Sequence, residues 1–240
     1  MDKRVIMPYN RFYVANPLQV DTQVSLEGTE HHHMMHVMRL SVGEEVELIN
    51  GEGALAKATV TSLNKKQALL HIDTSHKEPP SLPQMMLGIP FLRPSKLEWI
   101  VEKGTELGVD SFFFYPSDLG EKKLLSTHQL ERLHTILLSA IKQSGRLFFP
   151  HLEVAANISS LLTKEASIYY GDTRTSAKPL EKASFPLLFI TGPEGGFSKE
   201  EQAKLETSAQ GMQLSEYILR TETAPIAAAS IFGWQKILAP

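Results

Sequence analysis

The stretch PLLFITGPEGGFSKEE, residues 186–201, joins an apolar run to the start of a helix through a loop with three glycines. The run at 186–190 is bounded by turn residues, which is typical of a strand buried on both faces. Ser198 and Glu201 have the spacing of a capping box, so a helix is expected to begin at Ser198. A buried strand that leads straight into a helix indicates an α/β fold.

The loop itself has the composition of a ligand-binding turn. Gly192, Gly195 and Gly196 lack Cβ atoms, which permits positive φ and lets the backbone come close to a bound molecule. Neither common phosphate-loop pattern fits, because the lysine is missing and the glycine spacing is wrong. Glu194 would also repel a polyphosphate, so the loop favours a neutral or cationic ligand. A structural turn that binds nothing is the alternative.

A second polar turn lies in ILRTETA, residues 218–224. Its apolar lead-in delivers Arg220, Thr221, Glu222 and Thr223 into a turn before a helix that Thr223 could cap. Because open α/β sheets bind ligands at the ends of their strands, this turn and the glycine loop are expected to share one crevice. A capped turn with solvated charges is the alternative.

Composition excludes several classes of protein. Against 27 acidic residues the chain has 24 Lys and Arg, a net charge of -3, so any contact with RNA must come from local patches. The absence of cysteine excludes a disulfide scaffold, thiolate zinc sites and cysteine catalysis. No signal-peptide core or long apolar stretch occurs, which predicts a soluble, cytoplasmic protein without a membrane partner.

The 240 residues divide by pattern into two domains. Residues 1–76 read mostly as short strands with one helix, which indicates a small β-barrel. Residues 77–83 contain three prolines and are predicted to form a semi-rigid linker. Residues 84–240 alternate short apolar runs with helical patterns near 95–107, 127–144, 198–210 and 224–238, as in a parallel sheet with helices on its faces.

Two charged patterns suggest sites but have commoner explanations. His32 and His36 share a helical face, yet no third ligand is apparent, so no metal is expected. Glu98, Glu102 and Glu106 repeat every four residues, and a solvated face with Lys96 and Lys103 relieving the repulsion is the favoured interpretation.

Two other segments could contact RNA. Arg4 and Arg11 are interleaved with Tyr9, Phe12 and Tyr13, which suits phosphate contacts and base stacking, although an ordinary edge strand would look the same. The polar cluster KQSGR at 142–146 ends a predicted helix, and a C-terminal cap is its alternative explanation.

Taken together, six stretches resemble one family. They are RFYV (11–14), HHHMMHVMRLSVGEEVELINGEG (31–53), KLEWIVEKGTELGVD (96–110), KQSGRLFFP (142–150), ITGPEGGFSKEE (190–201) and ILRTETA (218–224). This set is similar to the small-subunit (16S) ribosomal RNA uridine N3-methyltransferases (RsmE), within the SPOUT class of knotted methyltransferases.

The resemblance implies a fold and a set of site residues. It implies a trefoil-knotted α/β domain with a parallel sheet, preceded by a small PUA-like β-barrel that helps to grip RNA. The cofactor S-adenosyl-L-methionine would lie against Gly171, Ile190, Gly192, Pro193, Glu194, Gly195, Gly196, Leu219, Arg220, Thr221, Glu222, Thr223 and Ala224. The RNA contacts assigned are Arg4, Arg11, Arg39, Gln143 and Arg146.

The resemblance also implies a reaction and partners. The substrate would be a uridine in the decoding region of the 30S subunit, and the enzyme would be a homodimer. We hypothesise that Arg220, helped by Arg11 or Arg146 across the dimer, stabilises charge on the uracil. Glu222 would orient Arg220 or accept the N3 proton.

The chain departs from the family pattern at two places, and two other classes of function remain as alternatives. The chain has Lys142 where relatives usually carry glutamate, and SDLG at 117–120 where a serine-glutamate-arginine-serine-like stretch is usual. A non-catalytic RNA-binding factor for ribosome assembly would explain the barrel but not the two turns. A nucleotide-phosphate enzyme would need a phosphate-loop lysine or metal carboxylates, which are not found.

Overall fold

A computed structural model describes residues 10–80, 84–174 and 176–238 of the chain. Arg4 and Tyr9, singled out above, lie outside the described residues, as do residues 81–83 of the predicted linker. The chain forms two compact units. The first unit comprises 1–80 with 138–149, and the second comprises 81–137 with 150–240.

The first unit contains a five-stranded sheet in the order β1-β3-β4-β5-β2. Its strands are β1 (Arg11–Tyr13), β2 (Gln23–Glu27), β3 (Glu45–Ile49), β4 (Ala54–Leu63) and β5 (Gln67–Lys77). β1 runs parallel to β3, and the other neighbours are antiparallel. Along β4 buried residues alternate with more exposed ones, so one face of the sheet packs on a core that includes Phe12, Leu48 and Leu70. The predicted small β domain is confirmed.

A helical segment follows β2 in this unit. Helix α1 (Gly28–His32) continues into a π-helical turn, His33–Met38, which ends at Arg39 in the left-handed conformation with φ 54°. His31 and Met34 are buried, whereas His32 and His36 stack with ring centroids 4.7 Å apart. The one helix predicted within residues 1–76 lies here, but Met34 is its buried methionine and Met38 is exposed.

Residues 138–149, which the sequence pattern assigned to the second domain, pack with the first unit instead. Ile141 and Leu147 share a hydrophobic cluster with Ile49, and the ring of Phe149 meets Tyr13 edge-on at 5.4 Å. The first part of this segment belongs to the predicted helix 127–144, and periodicity does not show which core a helix joins.

The second unit contains a six-stranded, all-parallel sheet in the order β11-β9-β10-β6-β7-β8. Its strands are β6 (Met85–Pro90), β7 (Ser111–Tyr115), β8 (His151–Val154), β9 (Ser167–Gly171), β10 (Leu187–Ile190) and β11 (Gln210–Met212). The central strands β6 and β10 are buried along their whole length, as their apolar runs predict. The parallel α/β sheet is confirmed, and the knot stays a prediction because strand order does not fix how a chain is threaded.

Helices connect these strands. They are α2 (Pro94–Glu106), α3 (Thr127–Ser144), α4 (Ile158–Leu161), α5 (Lys199–Ser208) and α6 (Thr223–Leu238). The last residues of α3 belong to the first unit. Over the described ranges, none of the helices has the length and apolar character needed to cross a membrane.

The sheet order decides where the candidate site lies. β11, β9 and β10 are neighbours and run in the same direction, so their carboxyl ends share one edge of the sheet. The segments that follow Gly171, Ile190 and Met212 therefore emerge side by side.

Candidate active site

A cavity of about 850 Å³ opens at the carboxyl ends of β9, β10 and β11. The glycine loop and the second polar turn both line it, so the structure brings together the two segments that the sequence predicted to share a crevice. The predicted residues that line the cavity are Gly171, Gly192, Pro193, Glu194, Gly195, Gly196, Leu219, Arg220, Thr221, Glu222 and Ala224.

Ile190 and Thr223 are not among the lining residues. Ile190 is completely buried in a hydrophobic cluster of the second unit. Thr223 is the first residue of α6 and is exposed. Ile190 is the last residue of β10, just before the glycine loop, and Thr223 is the first residue of α6, just after the second turn.

The glycine loop has the capping box expected from its sequence. The Ser198 hydroxyl accepts from the Glu201 N–H at 3.1 Å, and Glu201 accepts from the Ser198 N–H at 2.9 Å. Of the three glycines, whose lack of a Cβ permits positive φ, only Gly196 adopts it, at 74°. A Cβ at Gly195 would lie 3.3 Å from the Leu119 Cβ, a tight contact that a small shift of Leu119 would have to relieve.

A buried tyrosine fixes the entrance to this loop. The Tyr115 hydroxyl donates to the carbonyl of Thr191 at 2.7 Å, which ties the end of β7 to the end of β10. Burial raises the pKa of Tyr115 well above its usual value, and the charges of Glu201 and Asp118 raise it further. The hydroxyl therefore stays protonated and keeps donating.

The SDLG stretch at 117–120 is bound to the same loop. Glu201 accepts from the Ser117 hydroxyl at 3.2 Å and from the Asp118 N–H at 3.1 Å, while the Ser198 hydroxyl lies 2.6 Å from the Asp118 carboxylate. The departure from the family pattern thus takes part in a network that supports the glycine loop.

Lys96 connects the two cavity walls. Its ammonium lies 2.8 Å from Glu194 Oε1 in the glycine loop and 3.0 Å from Glu222 Oε2 in the second turn. It also donates to the Thr221 hydroxyl at 3.2 Å. The sequence predicted that Lys96 and Lys103 relieve the repulsion among Glu98, Glu102 and Glu106, but the partners of Lys96 are the two cavity carboxylates.

Lys96, Glu194 and Glu222 all remain charged at neutral pH. Desolvation raises the pKa of Glu194 and of Glu222, but hydrogen bonds and the charge of Lys96 outweigh it and lower both pKa values below the usual range. The hydrogen bond to Glu194 and the contact with Glu222 raise the pKa of Lys96, against the opposing effect of desolvation. Two carboxylates and one ammonium leave one net negative charge, which suits a cationic ligand.

Arg220 lines the cavity but is exposed. Over the part of the chain that the structure describes, its side chain makes no hydrogen bond or ion pair. Glu222 was predicted to orient Arg220, and its carboxylate is held by Lys96 and Thr221 instead. Arg220 thus presents a free guanidinium at the cavity.

The third wall follows β9, and of its lining residues the sequence predicted only Gly171. Asp172 and Arg174 line the cavity, and Arg174 Nη2 lies 2.6 Å from Asp172 Oδ2. Arg174 also pairs with Glu206 on α5 and donates to the Tyr170 hydroxyl at 3.0 Å. The hydrogen bonds from Arg174 lower the pKa of Asp172 below its usual range, against partial burial.

The fourth wall is the segment 213–218, between β11 and the second turn. Only its last residue, Ile218, belonged to the predicted second turn, and the rest was missed because the three-residue strand before it has no clear alternation of apolar and polar residues. Tyr217 and Ile218 are large, exposed apolar side chains in this wall, and that combination is the signal that could have found it.

The predicted RNA contacts lie in the first unit, and they differ in how exposed and how paired their side chains are. Arg11 pairs with Glu47 at 2.7 Å and its side chain is only 7% exposed, which argues against the phosphate contact assigned to it. β1 is an edge strand, the alternative that the sequence left open. Arg39 and Gln143 are exposed, and Arg146 is partly buried with contacts of its own.

Lys142, the second departure from the family, is bound inside the first unit. Its ammonium lies 2.6 Å from Glu30 Oε1, and Glu30 Oε2 accepts from the Tyr13 N–H at 3.0 Å. Both charged side chains are mostly buried, at 17% and 12% exposure. Lys142 therefore links the end of α3 to α1 and is not free to contact RNA.

The histidine cluster has structural partners. His31 Nε2 lies 2.9 Å from the Asn64 carbonyl oxygen, and His33 packs on Phe12 with ring centroids 5.8 Å apart. Within residues 10–80, 84–174 and 176–238, no group of three or more His, Cys, Asp or Glu side chains is arranged to hold a metal ion.

Comparisons with known proteins agree across both units. The family described as RNA methyltransferase domain matches residues 78–233, and the family described as RNA methyltransferase PUA domain matches residues 26–73. The chain is 32% identical over 234 residues to ribosomal RNA small subunit methyltransferase E of Bacillus subtilis, covering 88% of this chain and 90% of that protein.

Two solved structures are similar over nearly their whole length. A probable rRNA-methyltransferase from Porphyromonas gingivalis has a TM-score of 0.83 at 26% identity, covering 96% of this chain and 99% of the other. Ribosomal RNA small subunit methyltransferase E from Neisseria gonorrhoeae, solved bound to S-adenosyl methionine, has a TM-score of 0.81 at 27% identity, with coverages of 95% and 97%.

Proposed function

This chain belongs to the RNA methyltransferase family, and we propose that it transfers a methyl group from S-adenosylmethionine to N3 of a uridine in small-subunit ribosomal RNA. The single observation that carries the proposal is the cavity in which the glycine loop and the second turn face each other. The chemical groups on its walls determine what it can bind.

The cavity suits the cofactor in size and charge. Its volume of about 850 Å³ lies in the range of small-molecule sites. Its charged lining residues are four carboxylates against three cations, and this net negative charge favours a sulfonium over a polyphosphate. The carboxylates are Asp172, Glu194, Glu216 and Glu222, and the cations are Lys96, Arg174 and Arg220. S-adenosylmethionine would supply an activated methyl group here, and the loops after β9, β10 and β11 would hold it. Positioning of this kind supplies much of the rate of a displacement reaction.

Arg220 is the residue that we assign to the acceptor base. Uracil N3 becomes nucleophilic when its proton leaves, and the negative charge then spreads to the neighbouring carbonyl oxygens. An exposed guanidinium with no protein partner in the described structure can donate to such an oxygen. Glu222 is a weaker candidate for the group that accepts the N3 proton. Its pKa is lowered despite desolvation, and Lys96 holds its carboxylate.

The RNA must be bound so that N3 is accessible. N3 takes part in Watson–Crick pairing, so the target base has to be unpaired or extruded. Arg39, Gln143 and Arg146 in the first unit are the contacts that we propose for the RNA backbone, since the side chain of Arg11 is committed to Glu47. The substrate would be the 30S subunit or its rRNA in the cytoplasm.

We further propose a homodimer. α6 carries exposed Trp234, Ile237 and Leu238, an apolar surface that a second copy could cover. Sedimentation of the purified protein tests this, and a monomer at all accessible concentrations would refute it.

The function is tested by calorimetry and by mass spectrometry of RNA. The purified protein should bind S-adenosylmethionine and not ATP, and should restore 3-methyluridine in 30S subunits from cells that lack the gene. Binding to RNA without cofactor binding would favour the non-catalytic assembly factor instead. Methylation at a base atom other than uridine N3 would refute the proposed product.

Single-turnover methylation tests the role of Arg220. Arg220→Ala should lower the rate by about 100-fold, the effect of losing one charge-stabilising donor, with cofactor binding retained. Arg132→Ala is a matched control, because Arg132 is exposed, pairs with Glu98 and does not line the cavity. Equal rates for the two variants would contradict the assignment.

A further inference from the structure

We propose that Lys96 is a positioning residue that holds the two walls of the cofactor cavity at the correct separation. The inference rests on the proposed function, because it concerns how the cavity is kept in a binding-competent shape. Lys96 comes from α2, an element that the sequence did not connect with either loop.

The geometry places one ammonium between two separate loops. Lys96 Nζ lies 2.8 Å from Glu194 and 3.0 Å from Glu222, and the Thr221 hydroxyl lies within 3.4 Å of both carboxylates. These contacts join the glycine loop to the second turn through a single side chain. Among the described residues, no backbone hydrogen bond joins residues 191–197 directly to residues 219–222.

Lys96 lies at a position of its helix where a cation is electrostatically unfavourable, which suggests that another role keeps it there. It lies in the first turn of α2, which begins at Pro94 with Arg93 as N-cap, and its N–H bonds to the Arg93 carbonyl. Cations are disfavoured at this end of a helix because the macrodipole is positive there. A side chain that breaks a local rule is expected where it serves a site.

Without the ammonium, Glu194 and Glu222 would face each other as two negative charges around Thr221. Their repulsion would push the loops apart or draw a solvent cation between them. Either change alters the separation of the walls that must contact the cofactor on both sides. Lys96 thus affects cofactor binding first, and the methyl-transfer step only through the position of the cofactor.

The chain contains a matched control on the same helix. Lys103 also bridges two carboxylates, those of Glu102 at 2.7 Å and Glu106 at 2.8 Å, and its exposure of 28% is close to the 26% of Lys96. Lys103 does not line the cavity. Comparing the two lysines separates the loss of a bridging ion pair from the loss of cavity geometry.

The experiment measures S-adenosylmethionine binding and steady-state kinetics for wild type, Lys96→Met, Lys96→Arg and Lys103→Met. We expect Lys96→Met to raise the Kd and KM for the cofactor by about tenfold or more, as when a charge-assisted hydrogen bond is lost. The kcat should change less than KM, Lys96→Arg should restore most of the affinity, and Lys103→Met should bind like wild type.

Three results would overturn the inference while the proposed function stands. They are unchanged cofactor affinity in Lys96→Met, an equal loss in Lys103→Met, or a fall in kcat at constant KM. Thermal unfolding of the variants shows whether reduced binding reflects unfolding, and Lys96→Arg supplies a folded comparison. If the wild type binds no S-adenosylmethionine, the proposed function fails, and the inference with it.

Discussion

The backbone N–H of Asp118 donates to the carboxylate of Glu201 at 3.1 Å, across 83 residues of sequence. Glu201 is only 2% exposed and also accepts from Ser117 and from the Ser198 N–H. One buried carboxylate therefore caps α5 and fixes the 117–120 stretch beside the glycine loop. A residue recognised in the sequence only as a helix cap has a second role in holding the cavity wall.

Glu201→Ala should lower the free energy of unfolding by about 2–4 kcal/mol, because it leaves buried donors without an acceptor and removes half of the capping box. Glu200→Ala changes the exposed neighbour in the same helical turn and should have little effect. Chemical denaturation of both variants measures the difference. Equal stabilities would show that water replaces the carboxylate without cost.

The ion pair between Asp172 and Arg174 makes a testable contribution to the pH dependence of stability. Hydrogen bonds from Arg174 lower the pKa of Asp172 in the folded protein, against partial burial, so this group stabilises the fold above its unfolded pKa. That stability is lost as the pH falls through the lowered folded pKa, starting near the ordinary value of about 4.

Wild type and Asp172→Asn should therefore differ most in unfolding free energy at pH 6–8, and the difference should shrink as the pH falls below about 4. Denaturant titrations at several pH values measure it. Glu165→Gln, which removes an exposed carboxylate, should show no such convergence. A gap between Asp172→Asn and wild type that stays constant with pH would contradict the predicted linkage.

Gly196→Ala should cost about 1–2 kcal/mol of stability because of its backbone conformation. The residue has φ 74°, and a Cβ there would meet nothing within 4 Å, so the expected cost comes from strain without a clash. Gly192→Ala should fold normally, since its φ is not positive and its Cβ would make contacts of 3.4 Å or more. Thermal unfolding compares the two, and a larger loss in Gly192→Ala would reverse the assignment.

Lys142→Ala should destabilise the first unit by about 2 kcal/mol, since the mostly buried Glu30 loses its charged partner and keeps the hydrogen bond from the Tyr13 N–H. Lys142→Glu, which introduces the glutamate that the family resemblance implies at this position, should be worse because two carboxylates would meet. Lys66→Ala removes an exposed lysine and serves as the control. Urea denaturation measures all three variants. A Lys142→Glu protein as stable as wild type would contradict the prediction, because Glu30 would then not depend on Lys142.

The fold of the second unit was predictable because its strands are strongly apolar. β6, β7, β9 and β10 contain short, mostly apolar runs, and at that length a buried strand is favoured over a helix. β8 and β11 were missed, since each is short and partly exposed and offers no distinct pattern. The start of α5 was confirmed at its capping box because that signal is local.

The candidate site was predictable only where its signals are local. The two turns have glycines and polar residues at a strand-to-helix junction, which a single segment displays. Lys96 was not predictable, because its partner Glu194 lies 98 residues away while Glu98 is close in sequence. Arg11 was assigned to RNA, but the parallel register places it opposite Glu47, and a register between separate strands cannot be read from one of them.

The return of residues 138–149 to the first unit affects how the chain can fold during synthesis. When residues 1–80 have emerged from the ribosome, Ile141 and Leu147 do not yet exist, so the cluster that includes Ile49 is incomplete. The first unit can finish folding only after residues 81–137 have also been made. A fragment that ends at the prolines would expose this apolar surface to water, and an isolated first unit would need 1–80 joined to 138–149 by an engineered connection.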